Sequence, residues 1–241
     1  MNRIILASAS PRRKELLAQI GMDFEILVST CEEKITKTVP HEVVCELSAQ
    51  KALDVWQKVR ADFEVAVSDA TGQQTAADKN LKQTDEQYPI VIGADTVVSY
   101  DGKILGKPVD KEDAVRMLTL LSGNTHEVYT GVTFCYEEAG EAKVHTFYES
   151  TAVTFYPMSQ AEIESYVASG DPMDKAGSYG IQGLGARFVE KIDGDYNKLD
   201  NLPSINGVVL MDNKTSKDLH IERGYDAEVD PDNGEHLILK L

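Results

Sequence analysis

Apolar and polar positions change period several times along the chain, and each change marks an element. Arg3-Ile4-Ile5-Leu6-Ala7 is a short apolar run of the buried-strand type. Ser10 then stands as a helix N-cap with Pro11 at the first helical position, where its missing N–H costs nothing. Leu16, Leu17 and Ile20 supply the apolar face of that helix, and Gly21 ends it. Residues 24–29 read as a second strand, followed by the acidic pair Glu32-Glu33. Residues 41–59 form a strongly amphipathic helix in which Val44, Leu47 and Val55 share a face with Lys51, a cation where an apolar residue is expected.

From about residue 67 to residue 88 the chain turns polar, which predicts an exposed insertion rather than a domain boundary. Residues 89–100 are a strand, and Asp101-Gly102 signals a hairpin into a strand over 103–105. Asp110 caps a helix bearing Ala114, Met117, Leu118 and Leu121, stopped by Gly123. Strands follow near 127–136 and 143–155, and Ser159 with Glu162 forms a capping box for a helix ending near Gly170. Residues 171–185 are glycine-rich without a clear period, and 187–192 is a further short strand. Strands and helices alternate without a regular βαβ rhythm, and hairpins are present. The expected fold class is therefore α/β, a mixed β-sheet flanked by helices.

Composition changes this picture little. The 241 residues are 42% hydrophobic and 27% charged, as in an ordinary globular chain able to bury a sizeable core. The formal net charge of −16 opposes a broad role on nucleic-acid polymers, yet leaves room for a small phosphorylated ligand that answers to the local field. Cys31, Cys45 and Cys135 are odd in number, far apart and without zinc spacing, which predicts free thiols. No stretch is long enough to span a membrane, and the chain reads as cytoplasmic.

Four places hold residues that packing does not call for. Ser8, Ser10, Arg12 and Arg13 surround a helix N-terminus, where backbone N–H groups and the macrodipole already favour an anion. Cations in a first helical turn oppose that dipole. A phosphate reverses the balance, because arginine grips its oxygens in a fork. The glycines and G-K-[S/T] of a Walker loop are missing. Asp95, within Val91-Ile92-Gly93-Ala94-Asp95-Thr96-Val97-Val98, lies mid-strand among apolar neighbours; such a carboxylate needs a pairing partner, a proton or a metal. Lys51 and Lys107 (in Gly106-Lys107-Pro108) can each reach a polyphosphate, although snorkelling lysines are common. In Asp174-Lys175-Ala176-Gly177-Ser178-Tyr179-Gly180-Ile181-Gln182-Gly183 the glycines permit close backbone approach, while Tyr179 and Gln182 suit a nucleobase. The five histidines form no H-E-x-x-H and no triad, so zinc-hydrolase and serine-hydrolase chemistry drop out.

Taken in order, L-A-S-A-S-P-R-R-K-E-L-L, G-A-D-T-V-V, G-K-P, M-L-x-x-L-S-G-x-x-H-x-V-x-T-G-V and Y-V-x-S-G-x-P-x-D-K-A-G-S-Y-G-I-Q-G resemble the Maf-like nucleoside triphosphate pyrophosphatases, over residues 4 to 203. The resemblance implies two lobes around a deep cleft, within one domain over 1–241. It implies hydrolysis of a nucleoside triphosphate between its α and β phosphates, with Mg²⁺ or Mn²⁺ as cofactor. Carried over by position, Ser8, Arg12 and Arg13 match the triphosphate-binding signature, and Lys51 and Lys107 the phosphate-contacting lysines. Asp95 matches the catalytic aspartate that takes a proton from the attacking water, and Glu33 the acidic residue that helps hold the metal. Arg13, Thr96 and Gln182 are similar to the dTTP/UTP-type subgroup; a 7-methyl-GTP subgroup carries glutamate at the last of these positions. An amide both donates to and accepts from a uracil or thymine edge. The rival readings are a pyrophosphatase for 7-methyl-GTP or another modified nucleotide, and a nucleotide-binding cell-division regulator without turnover. A homodimer is expected only by borrowing from the family. Two departures stand out: the length of the 67–88 insertion, and the stretch after G-D-Y, where Asn201 replaces a glycine and residues 204–241 read as extended pieces, a candidate extra hairpin.

Overall fold

The computed structural model describes residues 3–72, 88–194, 226–229 and 237–240. Its elements are β1 (Ile4–Leu6), α1 (Pro11–Gln19), β2 (Glu25–Ile26), α2 (Pro40–Gly72), β3 (Ile90–Tyr100), β4 (Lys103–Leu105), α3 (Lys111–Leu121), β5 (Thr125–Glu138), β6 (Glu141–Phe155), α4 (Gln160–Ala168) and β7 (Val189–Asp193), with β8 (Asp226–Val229) and β9 (Leu237–Lys240) beyond. Short 3₁₀ turns at Asp171–Asp174, Ala176–Ser178 and Leu184–Phe188 join α4 to β7. One sheet runs in the order β2-β1-β3-β5-β6-β7, with β4 paired to β3. The β2-β1-β3 pairs are parallel and the remaining pairs antiparallel. The mixed α/β sheet read from the sequence is the observed one.

Alternation along β3 divides its two faces. Ile90, Ile92 and Ala94 pack with Leu17 of α1, whereas Val91 packs with Val55 and Trp56 of α2. On that second face α2 comes so close that a Cβ on Gly93 would lie 2.4 Å from the Ser48 carbonyl oxygen, and one on Gly131 of β5 2.4 Å from that of Val44. Only glycine fits at these two positions. A separate core, with Leu118, Leu121, Phe155, Ile163 and Tyr166 at its centre, joins α3 and α4 to the far ends of β3, β5 and β6. These cores form two lobes on a shared sheet.

Several local expectations hold. Asp101 and Gly102 both take positive φ (49° and 70°) in the β3–β4 hairpin, as a two-residue loop of that type requires. The Asp110 carboxylate accepts from the Asp113 amide, and the Ser159–Glu162 capping box is complete. Others are corrected. Ser10 stands at the N-cap of α1, but its side chain makes no capping bond; the Ser8 hydroxyl accepts the Ser10 N–H instead, at 3.2 Å. The second strand shrinks to Glu25–Ile26. The α2 helix continues past 59 to Gly72, so the first part of the expected insertion is helical, while 73–87 lie outside the described residues. Most of 204–241 and the altered G-D-Y stretch also lie outside them. Within that C-terminal segment, Asp226–Val229 and Leu237–Lys240 pair antiparallel.

Candidate active site

The order β2-β1-β3 has a topological consequence. From β1 the chain leaves through α1 to β2 on one side, and returns through α2 to β3 on the other. The crevice beyond the carboxyl end of β1 is therefore a switch point, the usual ligand position in open α/β sheets. The edge of β3 makes this concrete. Its ladder to β1 ends at Leu6↔Ile92, extended by the Ala7 N–H to the Ile92 carbonyl at 2.8 Å, and its ladder to β4 begins at Val98↔Leu105. Between them, residues 93–97 have no strand neighbour on that edge among the described residues. A cavity of about 340 Å³ opens there, between the two lobes.

Arg13 fills the gap in the ladder. Its guanidinium is buried and donates to the Ala94 carbonyl at 2.6 Å, the Ser8 hydroxyl at 3.0 Å and the Thr96 hydroxyl at 3.3 Å. Burial pulls its pKa down to about 10, against the opposing pull of the nearby Asp95 carboxylate, so it stays charged at neutral pH. Thr96 is braced in turn by Thr130 of β5, 3.0 Å away. Ser8, Ser10 and the half-buried Arg12 complete the cavity wall at the start of α1.

Asp95 points to the opposite side of β3, towards α2. Because Ser48 and Ala52 sit on Gly93, Lys51 is delivered directly to Asp95, and its ammonium pairs with that carboxylate. The same ammonium lies 3.1 Å from Glu33, so one lysine bridges the two carboxylates expected to share a metal. The sequence reading of Asp95 as a carboxylate in need of a partner is met by Lys51, with 14% of the side chain exposed on the cavity side. Lys107 enters from the second lobe; it is exposed and makes no ion pair among the described residues. Glu33 and Asp95 offer hard oxygen donors, and no group of three or more His, Cys, Asp or Glu side chains suited to a metal occurs among the described residues. Two carboxylates with the rest of the shell left to water and phosphate is a donor set that suits Mg²⁺ or Mn²⁺.

Of the ten residues singled out from the sequence, Ser8, Ser10, Arg12, Arg13, Glu33, Lys51, Asp95, Thr96 and Lys107 all line this cavity. Gln182 does not; it is exposed on the turn just after Ile181, which does. Tyr179, read as suited to a nucleobase, also lines the cavity, as do Asp174 and Cys31, which were not read as site residues. Tyr179 donates to or accepts from His126 Nε2 at 2.6 Å, and burial brings that histidine down to a pKa of about 4, so it is neutral. Asp174 is held by the buried Lys175 at 2.7 Å; burial works to raise its pKa, but that hydrogen bond and the charges of Lys175 and Arg12 together keep it below the ordinary value. Cys31 accepts from the Ser29 hydroxyl at 3.1 Å. All three cysteines are free, and burial pushes Cys135 up to about 12. No described helix is long and apolar enough to cross a membrane.

A mixed sheet whose switch point places a cationic helix start opposite an acidic strand is the architecture of α/β proteins that take phosphorylated ligands. The particular family follows from comparison. The profile of the family described as Maf-like protein matches residues 3–213, and the chain belongs to that family. It is 52% identical over 204 residues to a dTTP/UTP pyrophosphatase of Agathobacter rectalis, a match covering 84% of this chain and 93% of the relative. It is 46% identical over 213 residues to one of Bacillus pumilus (88% and 96% covered), and 47% identical over 204 residues to one of Bacillus anthracis (84% and 91%).

Proposed function

We propose that this chain is a nucleoside triphosphate pyrophosphatase that hydrolyses dTTP and UTP to the monophosphate and pyrophosphate. The observation that carries the reading is the joint presence, around one cavity, of Arg12, Arg13, Lys51 and Lys107 with the paired carboxylates Asp95 and Glu33. The names of the relatives, at about half of positions identical, supply the substrate class. The helix N-terminus and the cations bind and orient the triphosphate. Its negative charge competes for Lys51, which leaves Asp95 free to take the proton of a water attacking the α-phosphorus as the bridging oxygen leaves with pyrophosphate. Glu33 and Asp95 would hold the divalent cation, Mg²⁺ or Mn²⁺. When bound, it supplies charge neutralisation at the phosphates.

The base-reading part of the proposal rests on Arg13 and Thr96, already hydrogen-bonded to one another, and on Gln182, whose amide remains with this reading through the family resemblance alone. The cytoplasmic location and the homodimer belong to the proposal on the same footing. The test is a panel of dTTP, UTP, CTP, ATP and 7-methyl-GTP with Mg²⁺ or Mn²⁺, products resolved by phosphorus NMR. Pyrophosphate from dTTP and UTP, lost in Asp95→Asn, is the expected outcome. Pyrophosphate mainly from 7-methyl-GTP would keep the chemistry and overturn the base assignment. Tight dTTP binding without turnover would replace the enzyme by a nucleotide-binding regulator.

A further inference from the structure

Glu33 stands on a segment, residues 27–38, that has no regular secondary structure. Between 30 and 38 every side chain except Cys31 is exposed, so no apolar anchor fixes this strap. What fixes it is one face of α2. Glu46, Gln50 and Asp54 follow one another at helical spacing of four and reach out to it in turn. The Asp54 carboxylate accepts from the Ser29 hydroxyl at 2.8 Å and the Thr30 N–H at 2.9 Å. Glu46 accepts from the Thr36 N–H at 2.9 Å. Between these two, Gln50 makes a reciprocal clasp on the residue next to Glu33: its amide oxygen accepts the Lys34 N–H at 2.9 Å, and its amide nitrogen donates to the Lys34 carbonyl at 2.7 Å. Of the three, it alone binds both backbone groups of one residue, as a neighbouring strand would.

We infer that Gln50 is a positioning residue that holds Glu33 in place to serve the divalent cation; the inference rests on the reading of Glu33 given above. The Glu33 side chain is 48% exposed, and its contact with Lys51 is a pair of the kind that contributes little where water competes. That contact is also the one given up when a triphosphate draws Lys51 away. From then on the carboxylate is aimed only by its backbone, and the backbone is aimed by Gln50. One turn of α2 therefore does two things for Glu33: Lys51 occupies its charge while the cavity is empty, and Gln50 keeps its place for the filled state. A carboxylate on an unclasped strap must first be ordered, at the expense of backbone entropy, which appears as weaker metal binding.

The experiment measures Mn²⁺ binding by electron paramagnetic resonance, with the protein saturated by a non-hydrolysable α,β-methylene analogue of dTTP. It compares the wild type, Gln50→Ala, Gln50→Glu, Glu33→Gln and the double variant Gln50→Ala/Glu33→Gln, together with the metal dependence of turnover. Gln50→Glu keeps the shape and the acceptor but loses the donor to Lys34. Both Gln50 variants are expected to bind Mn²⁺ about tenfold more weakly, the lower end for partners that orient metal ligands. Saturating metal should restore kcat to within about twofold, with the nucleotide KM unchanged, because neither chemistry nor phosphate binding is touched. In the double variant the Gln50 change should add nothing to the Glu33 change. Mn²⁺ affinity unaltered by Gln50→Ala but weakened by Glu33→Gln overturns the positioning role and leaves the proposed function standing. Affinity unaltered by Glu33→Gln removes the metal reading of Glu33, and this inference with it. A kcat loss that metal does not restore marks Gln50 as a support of the fold only, and also overturns it.

Discussion

Arg13 completes a β-ladder with a side chain. The Ala94 carbonyl faces the gap between β1 and β4, and the guanidinium supplies the donor that a strand would have supplied, while also reaching Ser8 and Thr96. Lysine carries the charge but not the planar fork. Arg13→Lys is therefore expected to lower the free energy of unfolding by about 2–4 kcal/mol, since a buried carbonyl and a hydroxyl lose their partner. Urea denaturation at pH 7 measures it, and an unchanged midpoint would refute the ladder account. His126 makes a second case. It is buried and neutral, with a pKa near 4 against 6.5 when exposed. As pH falls below 6.5 the unfolded chain takes up this proton and the native chain does not, so its contribution to stability is present above 6.5 and is lost progressively down to about 4. The full loss is on the order of 3 kcal/mol. Between pH 7 and pH 4.5 the free energy of unfolding should fall further in wild type than in His126→Gln. Equal pH slopes in the two proteins would contradict the assignment.

The placement of α2 decides whether the site assembles, and two glycines decide the placement of α2. A methyl on Gly131 would collide with the Val44 backbone, and its residue pairs directly with Asp95 in the β3–β5 ladder. Gly131→Ala is expected to cost about 3 kcal/mol or more by overpacking, and to reduce turnover at temperatures where the variant is still folded, because Lys51 and Gln50 ride on the displaced helix. Gly140 in the β5–β6 turn is the control. With φ at 81° and open space around it, Gly140→Ala should cost only about 1 kcal/mol and leave turnover intact. Thermal melts with parallel pyrophosphate assays separate the two. Local elements were legible wherever the signal was local: Asp110, the Asp101-Gly102 turn and the Ser159–Glu162 box each act within a few residues. The length of α2 was not. The helix was read to end at residue 59 and the polarity from about residue 67 read as an exposed insertion, yet a helix already nucleated extends through polar residues at little cost, and no proline or glycine interrupts it before Gly72. The rail of Glu46, Gln50 and Asp54 was missed for a related reason: polar residues four apart on a helix ordinarily mean a solvated face, and nothing in their spacing points to a strap lying across them.

At the scale of the whole molecule, the site draws on residues from Ser8 to Ile181, brought together by strand order rather than by any sequence spacing. Arg12, Arg13 and Asp95 were legible because each is anomalous where it stands, two cations in a first helical turn and an acid inside an apolar strand. His126 and Asp174 look like ordinary residues until the fold pairs them with Tyr179 and Lys175. Gln182 was legible only by resemblance, and it stands outside the cavity wall. The charge pattern has a consequence on the same scale. Four cations against three carboxylates (Glu33, Asp95 and Asp174) line the cavity, a local balance of +1 in a chain of formal net charge −16. A triphosphate approaching from solvent first meets the repulsion of the whole surface and only then the attraction of the cavity. The first acts over tens of ångströms and the second over contact distances, so salt acts on them differently. The Debye length is about 30 Å at 10 mM salt and about 8 Å at 150 mM, enough to remove the long-range repulsion while leaving the part-buried contacts largely unscreened. The kcat/KM for dTTP should therefore rise between about 10 and 150 mM sodium chloride at constant free metal, and fall only at higher salt, where the cavity's own contacts weaken. Initial rates at subsaturating dTTP measure it directly. A monotonic fall from the lowest salt would mean that the cavity field, not the net charge, governs the approach.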